Sequence, residues 1–386
     1  MRNQKPVQLT SIGCDLGLGS RQRAWVEIDL SAIKHNIRQL KSLLASQTAL
    51  MAVVKADAYG HGAVTVAKTV IEAGAEWLGV ATVPEGIELR SRGIEAPILI
   101  LGATYTVEQI EAVAYWHLQP TLCSMEVAKL YSQTLKGDLP VHIKLDTGMS
   151  RLGPCWQQAV EFVQLVNKLP HLQIVSIYSH LATAESIDRT VMNQQQQRFD
   201  LATSQLADLI PLPCLHLANS AATLTERSLH YDLVRVGLAV YGLYPAAHLQ
   251  SAVNLQPVLQ VKARVTQVKT IPPHTGVSYG YKFISDRTTL IAVVAIGYAD
   301  GVPRNLSNQM MVIVRGQKIP QVGAITMDQL MLDVSAIPDL RSGEIVTLLG
   351  IDGKEQISAD DWAKQLNTIS WEILCAFKHR LPRIAI

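Results

Sequence analysis

The chain has 386 residues, 48% of them hydrophobic, with 34 Lys+Arg against 32 Asp+Glu. That length exceeds one ordinary compact domain and fits about two, and the near balance of charge lacks the basic clustering of a nucleic-acid or membrane-surface binder. No apolar run reaches the roughly 18 residues needed to cross a bilayer.

Residues 1–22 read as a loose N-terminal extension. They lack the continuous apolar stretch of a secretory signal. The five cysteines (Cys14, Cys123, Cys155, Cys214 and Cys375) are scattered, odd in number and form no CxxC pair. They imply neither a disulfide framework nor a metal site, and a reducing cytoplasm is the natural setting.

From Arg23 to about Tyr244 the pattern alternates strand and helix. Apolar runs rich in Val, Ile and Leu occur at 50–55, 77–83, 96–101, 118–122, 141–146, 172–179, 214–218 and 233–236. Helix-like stretches with three- and four-residue apolar spacing lie between them at 31–45 (with Asp29 as a cap), 63–73, 107–115, 125–135, 157–167 and 192–209. Gln194-Gln195-Gln196-Gln197 reads as a helix face. Continuous apolar strands imply burial on both faces, as in a parallel sheet. The fold class expected is therefore α/β: an N-terminal (β/α)8 TIM-type barrel over residues 23–250. A doubly wound open sheet is the competitor. After Gln256 the runs shorten and begin to alternate, which predicts a C-terminal, mainly β domain over residues 251–386, the change falling within 246–256. Arg315-Gly316-Gln317-Lys318 suits a two-residue hairpin turn with Gly in the first central position.

In a barrel of this kind function sits at the carboxyl ends of the strands. The first apolar run ends in Lys55. An ammonium among buried neighbours is costly, and burial lowers its pKa, which supplies free amine for Schiff-base chemistry. The bland alternative is a lysine snorkelling at the barrel rim. Tyr59-Gly60-His61-Gly62 follows, and its two glycines let backbone approach a ligand closely. The seventh and eighth runs lead into Asn219-Ser220 and Arg235-Val236-Gly237-Leu238. Loops after strands seven and eight commonly bind phosphate in such barrels; the Ser220 hydroxyl and the Gly237 and Leu238 amides can do so here. Arg235 has donors and no acceptor. Against a pyridine nitrogen it would donate a hydrogen bond without surrendering a proton.

These segments resemble the alanine racemase family, fold-type III enzymes that use pyridoxal 5'-phosphate. The resemblance runs from Arg23 to the C-terminus. It is carried by Val54-Lys55-Ala56-Asp57-Ala58-Tyr59-Gly60-His61-Gly62, by Lys144-Leu145-Asp146-Thr147-Gly148-Met149-Ser150-Arg151-Leu152-Gly153, and by His216-Leu217-Ala218-Asn219-Ser220-Ala221-Ala222-Thr223. Val277-Ser278-Tyr279-Gly280 and Ile296-Gly297-Tyr298-Ala299-Asp300-Gly301 complete the set.

The resemblance implies an amino-acid isomerase that interconverts L- and D-alanine in the cytoplasm and supplies D-alanine for peptidoglycan. It matches Lys55 to the Schiff-base lysine, which is also the base for the D-enantiomer, and Tyr279 to the opposite-face base for the L-enantiomer. A racemase needs one group to remove the α-proton and another to return one from the other side. In the family that tyrosine comes from the neighbouring subunit, so a homodimer with shared active sites is implied. Arg235 is matched to the residue facing the pyridine nitrogen, which suppresses transamination. His216 is its hydrogen-bonding support, and His180 is placed beside the cofactor ring. Tyr59, Asn219, Ser220, Gly237, Leu238 and Trp371 are matched to cofactor contacts. Arg151 and Met327 are matched to substrate contacts, and Tyr298 and Arg304 to the substrate entrance. Lys144 is expected to carry a carbamate that holds Arg151.

Three positions depart from the family pattern. Trp371 stands where tyrosine is frequent, and Ala324 and Thr326 replace an arginine and a cysteine. These leave the substrate open between alanine and another small amino acid such as serine. Fold-type III decarboxylases pair the pyridine nitrogen with an acid, against which Arg235 speaks. The single-domain pyridoxal phosphate-binding protein of vitamin B6 homeostasis lacks a counterpart of residues 256–386.

Overall fold

The computed structural model describes residues 21–207 and 209–386, so most of the expected extension, Cys14 included, lies outside the described residues. The chain divides into two compact units. One comprises Ile28–Leu259, Asn367–Ala376 and Ala385–Ile386; the other holds Gln260–Leu366, Phe377–Ile384 and the described residues up to Glu27.

The first unit is the expected barrel, and the open sheet is excluded. Its eight strands are β1 (Ala49–Val53), β2 (Trp77–Val80), β3 (Ile98–Ile100), β4 (Gln119–Leu122), β5 (Leu139–Lys144), β6 (Leu172–Tyr178), β7 (Cys214–His216) and β8 (Leu233–Val236). Neighbours pair in parallel from β1 round to β7, and β8 pairs with β1. Backbone bonds from Asp232 N to Leu215 O (3.0 Å) and from Arg235 N to Ala218 O (3.0 Å) join β7 to β8, so the ring is nearly closed.

Alternation along each strand sends every second residue inward. The interior is chemically lopsided. Met51, Leu99 and Leu233 form an apolar cluster with Trp77 and Leu101 against it. Gly79 sits where a Cβ would lie 3.1 Å from Met51 Sδ and 3.3 Å from Leu101 Cδ1, so a larger residue would crowd this cluster. The strands β5, β6 and β7 instead contribute His142, Ser176 and His216, all buried and all polar.

The helices follow capping chemistry. Asp29 accepts from Ala32 N at 2.9 Å and opens Leu30–Lys41, whose Ile33, Ile37 and Leu40 are buried. The helix Val83–Ser91 is absent from the sequence expectation, because the apolar run 77–83 continues without a break into its first residue. Thr82 and Glu85 form a capping box there. Gln195, within the glutamine run of Thr190–Ala207, is fully buried rather than on a solvated face. It accepts from Ala182 N (2.8 Å) and donates to His180 O (2.9 Å), pinning the loop after β6.

The segment Lys55–Gly60 is a helical turn of the wrong hand. Ala56, Asp57, Ala58 and Tyr59 all have φ of 53–54° and ψ of 37–51°. Each L-residue in that conformation costs roughly 1–2 kcal/mol, so the surroundings must hold it. Glu85 Oε1 accepts from Ala56 N (2.7 Å), while its other oxygen accepts from Ala81 N (2.7 Å) and Thr82 N (3.0 Å). Asp57 accepts from Ala63 N (2.7 Å). The His61 Nδ1–H donates to Ala58 O (2.9 Å) and Tyr59 O (3.0 Å).

The second unit is mainly strand. Leu259–Ile271 pairs with Thr289–Val294 on one side and with Ile345–Asp352 on the other. Leu330–Asp333, Gln317–Val322 and Met311–Val314 complete an antiparallel ring between those two. Val314 pairs with Gln317, so the hairpin's central residues are Arg315 (φ 50°) and Gly316 (φ 70°). Glycine therefore takes the second central position, not the first as expected. With both residues left-handed, the turn is of the I′ type, whose twist suits the flanking strands.

The fully buried Asp300 accepts both Arg23 guanidinium arms (2.7 and 2.8 Å) and Gly297 N (3.0 Å). Asp300→Ala leaves that fork without its acceptor and should destabilise the second unit by about 3 kcal/mol; an unchanged urea midpoint would count against this account. Glu85→Ala strips three amides of their acceptor at a cost of about 1–3 kcal/mol. Hydrogen exchange should then speed up at Ala56 and Ala81, and unchanged protection there would show that the turn holds itself.

Candidate active site

A cavity of about 620 Å³ opens among residues at the carboxyl ends of the barrel strands. Lys55, Tyr59, Lys144, Arg151 and His180 line it, as do Asn219, Ser220, Arg235, Gly237, Leu238 and Trp371. Eleven of the sixteen residues singled out in the sequence thus share one wall. A twelfth, His216, lies directly behind Arg235.

Arg235 is buried and has no carboxylate partner among the described residues. Carbonyls take its charge instead: Nη2 donates to Ser179 O (2.7 Å) and Leu217 O (3.1 Å). Nη1 donates to His216 Nδ1 (2.9 Å), and Nη2 also reaches His180 Nδ1 (3.2 Å). A guanidinium cannot accept, so both rings must present a lone pair at Nδ1 and be neutral. Burial, with Arg235 next in weight, holds both histidines well below their usual range. Burial also lowers Arg235 to about 10, still charged at neutral pH. Tyr178, at the end of β6, stacks on His216 at 4.7 Å, and its ring also lies 5.1 Å from the Arg235 guanidinium carbon.

At the ends of β7 and β8 the chain builds an anion cradle. Asn219 caps the short helix Ser220–Thr225 by accepting from Ala222 N (3.1 Å). Ser220 Oγ accepts from Gly237 N (3.0 Å), which leaves its own hydrogen to offer. Gly237 has no room for a side chain: a Cβ there would stand 2.5 Å from the Tyr59 hydroxyl. The left-handed turn is what delivers that hydroxyl. Burial raises Tyr59 far above the ordinary phenol range, so it remains a donor. Neutral donors around a small concavity suit a phosphate.

Lys144 is buried, and its Nζ has no hydrogen-bond partner among the described residues. It sits 4.7 Å above the Tyr178 ring. Burial, then Arg235 and Arg151, push its pKa well below the usual ammonium value.

The remaining four residues lie in the other unit. Tyr279 is 72% exposed, in the loop between the paired strands Gly276–Val277 and Phe283–Ile284. Ser278 props that loop by donating to Ala324 O (2.7 Å). Tyr298 and Met327 are exposed and lie on loops joined by Tyr298 N to Thr326 O and Ala299 N to Met327 O (both 3.0 Å). Arg304 is exposed in the turn Arg304–Leu306.

Three participants were missed in the sequence. Glu85 had a findable signal, being three residues after Thr82 ahead of an apolar helix start. Cys375, a lining residue, is one helical turn beyond Trp371 and so shares its face. Tyr178 had none, because an apolar strand residue and a stacking platform look alike in one dimension.

Among known proteins, the family models for the N-terminal and C-terminal domains of alanine racemase match residues 28–245 and 258–385. An alanine racemase of Nostoc sp. is 65% identical over 379 residues, covering 97% of this chain and 98% of that protein. One from Synechocystis sp. is 60% identical over 370 residues, 95% of this chain and all of that protein. The solved alanine racemase of Clostridium difficile superposes with a TM-score of 0.90 at 33% identity, over 95% of this chain and 96% of that one. The Bacillus anthracis enzyme with bound L-Ala-P does so with a TM-score of 0.90 at 35% identity, over 95% of both chains. With nearly the whole length matched in sequence and in fold, the chain belongs to the alanine racemase family, isomerases acting on amino acids.

Proposed function

We propose that the protein racemises alanine in the cytoplasm with pyridoxal 5'-phosphate, by a two-base mechanism, and supplies D-alanine for peptidoglycan. The observation that carries this reading is one cavity holding a lysine amine, a donor-only guanidinium and, at Ser220 and Tyr59, hydroxyl donors beside Gly237. The residues present fit that cofactor. Lys55 would hold it covalently, while Tyr59, Ser220, Gly237 and Leu238 would bind its phosphate, with Asn219 and Trp371 at their side. Arg235 would face its ring nitrogen and His180 its ring. When bound, the cofactor withdraws electrons from an attached amino acid and so acidifies its α-proton.

Each protein group then has a defined task. Lys55 Nζ takes or returns the proton on one face. The Tyr279 phenol oxygen does so on the other, removing it from the L-enantiomer where Lys55 removes it from the D-enantiomer. Arg235 would donate a hydrogen bond to the ring nitrogen and keep its own proton, which would leave that nitrogen unprotonated and disfavour transamination. Arg151 and the Met327 backbone hold the substrate carboxylate, with Tyr298 and Arg304 at the entrance. Tyr279 stands exposed on its own chain's surface, which supports its action in the site of a second copy and hence a homodimer.

Lys144 supports a further piece of the reading. A buried amine whose pKa burial, then Arg235 and Arg151, push well below the usual ammonium value is poised to add carbon dioxide. The amine nitrogen bonds to the carbon, one C=O pair becomes a carboxylate, and the nitrogen's proton leaves to water. The resulting carbamate anion would then hold Arg151.

L-Alanine incubated with the enzyme in D2O should yield D-alanine labelled at Cα, and Lys55→Ala should abolish both this and borohydride trapping of the cofactor. Lys55→Ala and Tyr279→Phe chains, each impaired alone, should recover activity when mixed and allowed to reassociate; failure to do so would sink the shared site. After equilibration with 13C-bicarbonate, the wild type should show a carbamate carbon resonance that Lys144→Gln lacks. Its absence from both near neutral pH would remove the carbamate from the account.

A further inference from the structure

The hydrogen bonding behind Arg235 does not stop at His216. His216 Nε2 lies 2.8 Å from Ser176 Oγ, which lies 2.5 Å from His142 Nδ1. His142 Nε2 lies 2.7 Å from Gln119 Oε1. The three inner members are buried at 2% exposure or less, so water cannot substitute for a missing partner.

The direction of every bond in this chain is forced. Arg235 only donates, so His216 Nδ1 accepts and its proton must sit on Nε2. That proton goes to Ser176 Oγ. The serine hydrogen must then point onward to His142 Nδ1, which places the His142 proton on Nε2. Gln119 must meet it with its carboxamide oxygen, which can only accept. A donor-only group at one end and an acceptor at the other leave a single protonation pattern. Burial helps by lowering His142 to about 3, so neither ring takes a second proton near neutrality.

We propose that His142 and Ser176 are positioning residues: they lock His216 in the one tautomer that can accept from Arg235, and thereby fix the guanidinium toward the cofactor ring. The proposal rests on the pyridoxal phosphate reading. Without the His142 acceptor, the Ser176 hydroxyl is free to turn its hydrogen toward His216 Nε2. His216 could then answer only by moving its proton to Nδ1, directly against an Arg235 N–H. Arg235 would swing or lose that partner, and the ring nitrogen would lose its fixed neighbour.

The first test is the 15N spectrum of the holoenzyme with labelled histidine, which reads tautomers without reference to turnover. His142 and His216 should both be neutral Nε2–H forms. Ser176→Ala should convert His216 to a mixture of tautomers, and Ser176→Thr, which keeps the hydroxyl, should restore a single form. A Nδ1–H form at His142 in the wild type, or a His216 tautomer indifferent to Ser176→Ala, would overturn the proposal. The second test is functional. Ser176→Ala and His142→Phe should each lower kcat about 10-fold, as loss of an outer hydrogen-bond partner commonly does. Each should also raise the fraction of turnovers that convert bound cofactor to its amine form. The double variant should be no worse than the worse single one, since the two act through one chain. Wild-type partitioning in Ser176→Ala, which removes one oxygen and leaves the packing intact, would refute the link even if His142→Phe fails to fold. Wild-type protein that takes up no pyridoxal phosphate would instead refute the functional reading, while the tautomer spectrum would still decide the chain.

Discussion

A permanent positive charge, buried without a counter-ion among the described residues, constrains this barrel more than any other feature. Removing a guanidinium from water costs several kcal/mol even after relaxation, unless its hydrogens all find partners. Arg235 sets Nη1 and Nη2 against the carbonyls of Ser179 and Leu217 and two neutral imidazoles, which offsets part of that cost. Those partners sit at the ends of β6 and β7, so the closure of the ring at β8 and the solvation of the charge are the same structural event. The polar lining of the β5–β7 side follows from this need, as does the apolar lining opposite, where Met51, Leu99 and Leu233 fill space that needs no hydrogen bonds.

The same charge organises its surroundings electrically. After burial itself, Arg235 with Arg151 pushes Lys144 further below the usual ammonium value, and Arg235 adds to the lowering of His180 and His216. Three groups that could each carry positive charge are thus pushed toward their neutral forms, first by burial and then by one that cannot give its charge up. Tyr178 serves all of this with a ring face, stacking on His216 and lying beneath Lys144 and Arg235, while its hydroxyl bonds Thr121 at 2.7 Å.

The barrel was legible because its strands are continuous apolar runs, and a run of Val, Ile and Leu bounded by turns has few other solutions. All eight strands appear where the runs lie, with ends shifted by a few residues. Lys55, Asn219, Ser220, Arg235, Gly237 and Leu238 were legible because they end or follow those runs, whereas Lys144, Arg151, His180 and Trp371 were reached through the family resemblance. What escaped was whatever depends on backbone sense or on partners distant in sequence. The helix Val83–Ser91 begins where a strand-like run was still in progress, and its apolar stripe is interrupted by Gly86, packed close to Leu118. The hairpin turn falls one residue earlier than expected, with Gly316 second rather than first, because either glycine position makes a tight hairpin. The glutamine run lies on a helix as expected, but that Gln195 turns inward is recognisable only once its two loop partners are in place.

The left-handed turn after Lys55 narrows the sequences that can occupy it. β-Branched residues are barred from positions 56–58 because their Cβ substituents would meet the preceding carbonyl in that conformation. Glycine would relax the native strain but widen the unfolded ensemble and loosen the path to Tyr59. Alanine and aspartate lie between these extremes: small enough to be bent the wrong way, stiff enough to stay there. Drift in this segment is therefore confined to a handful of side chains by backbone geometry alone, whatever substrate the cavity comes to accept.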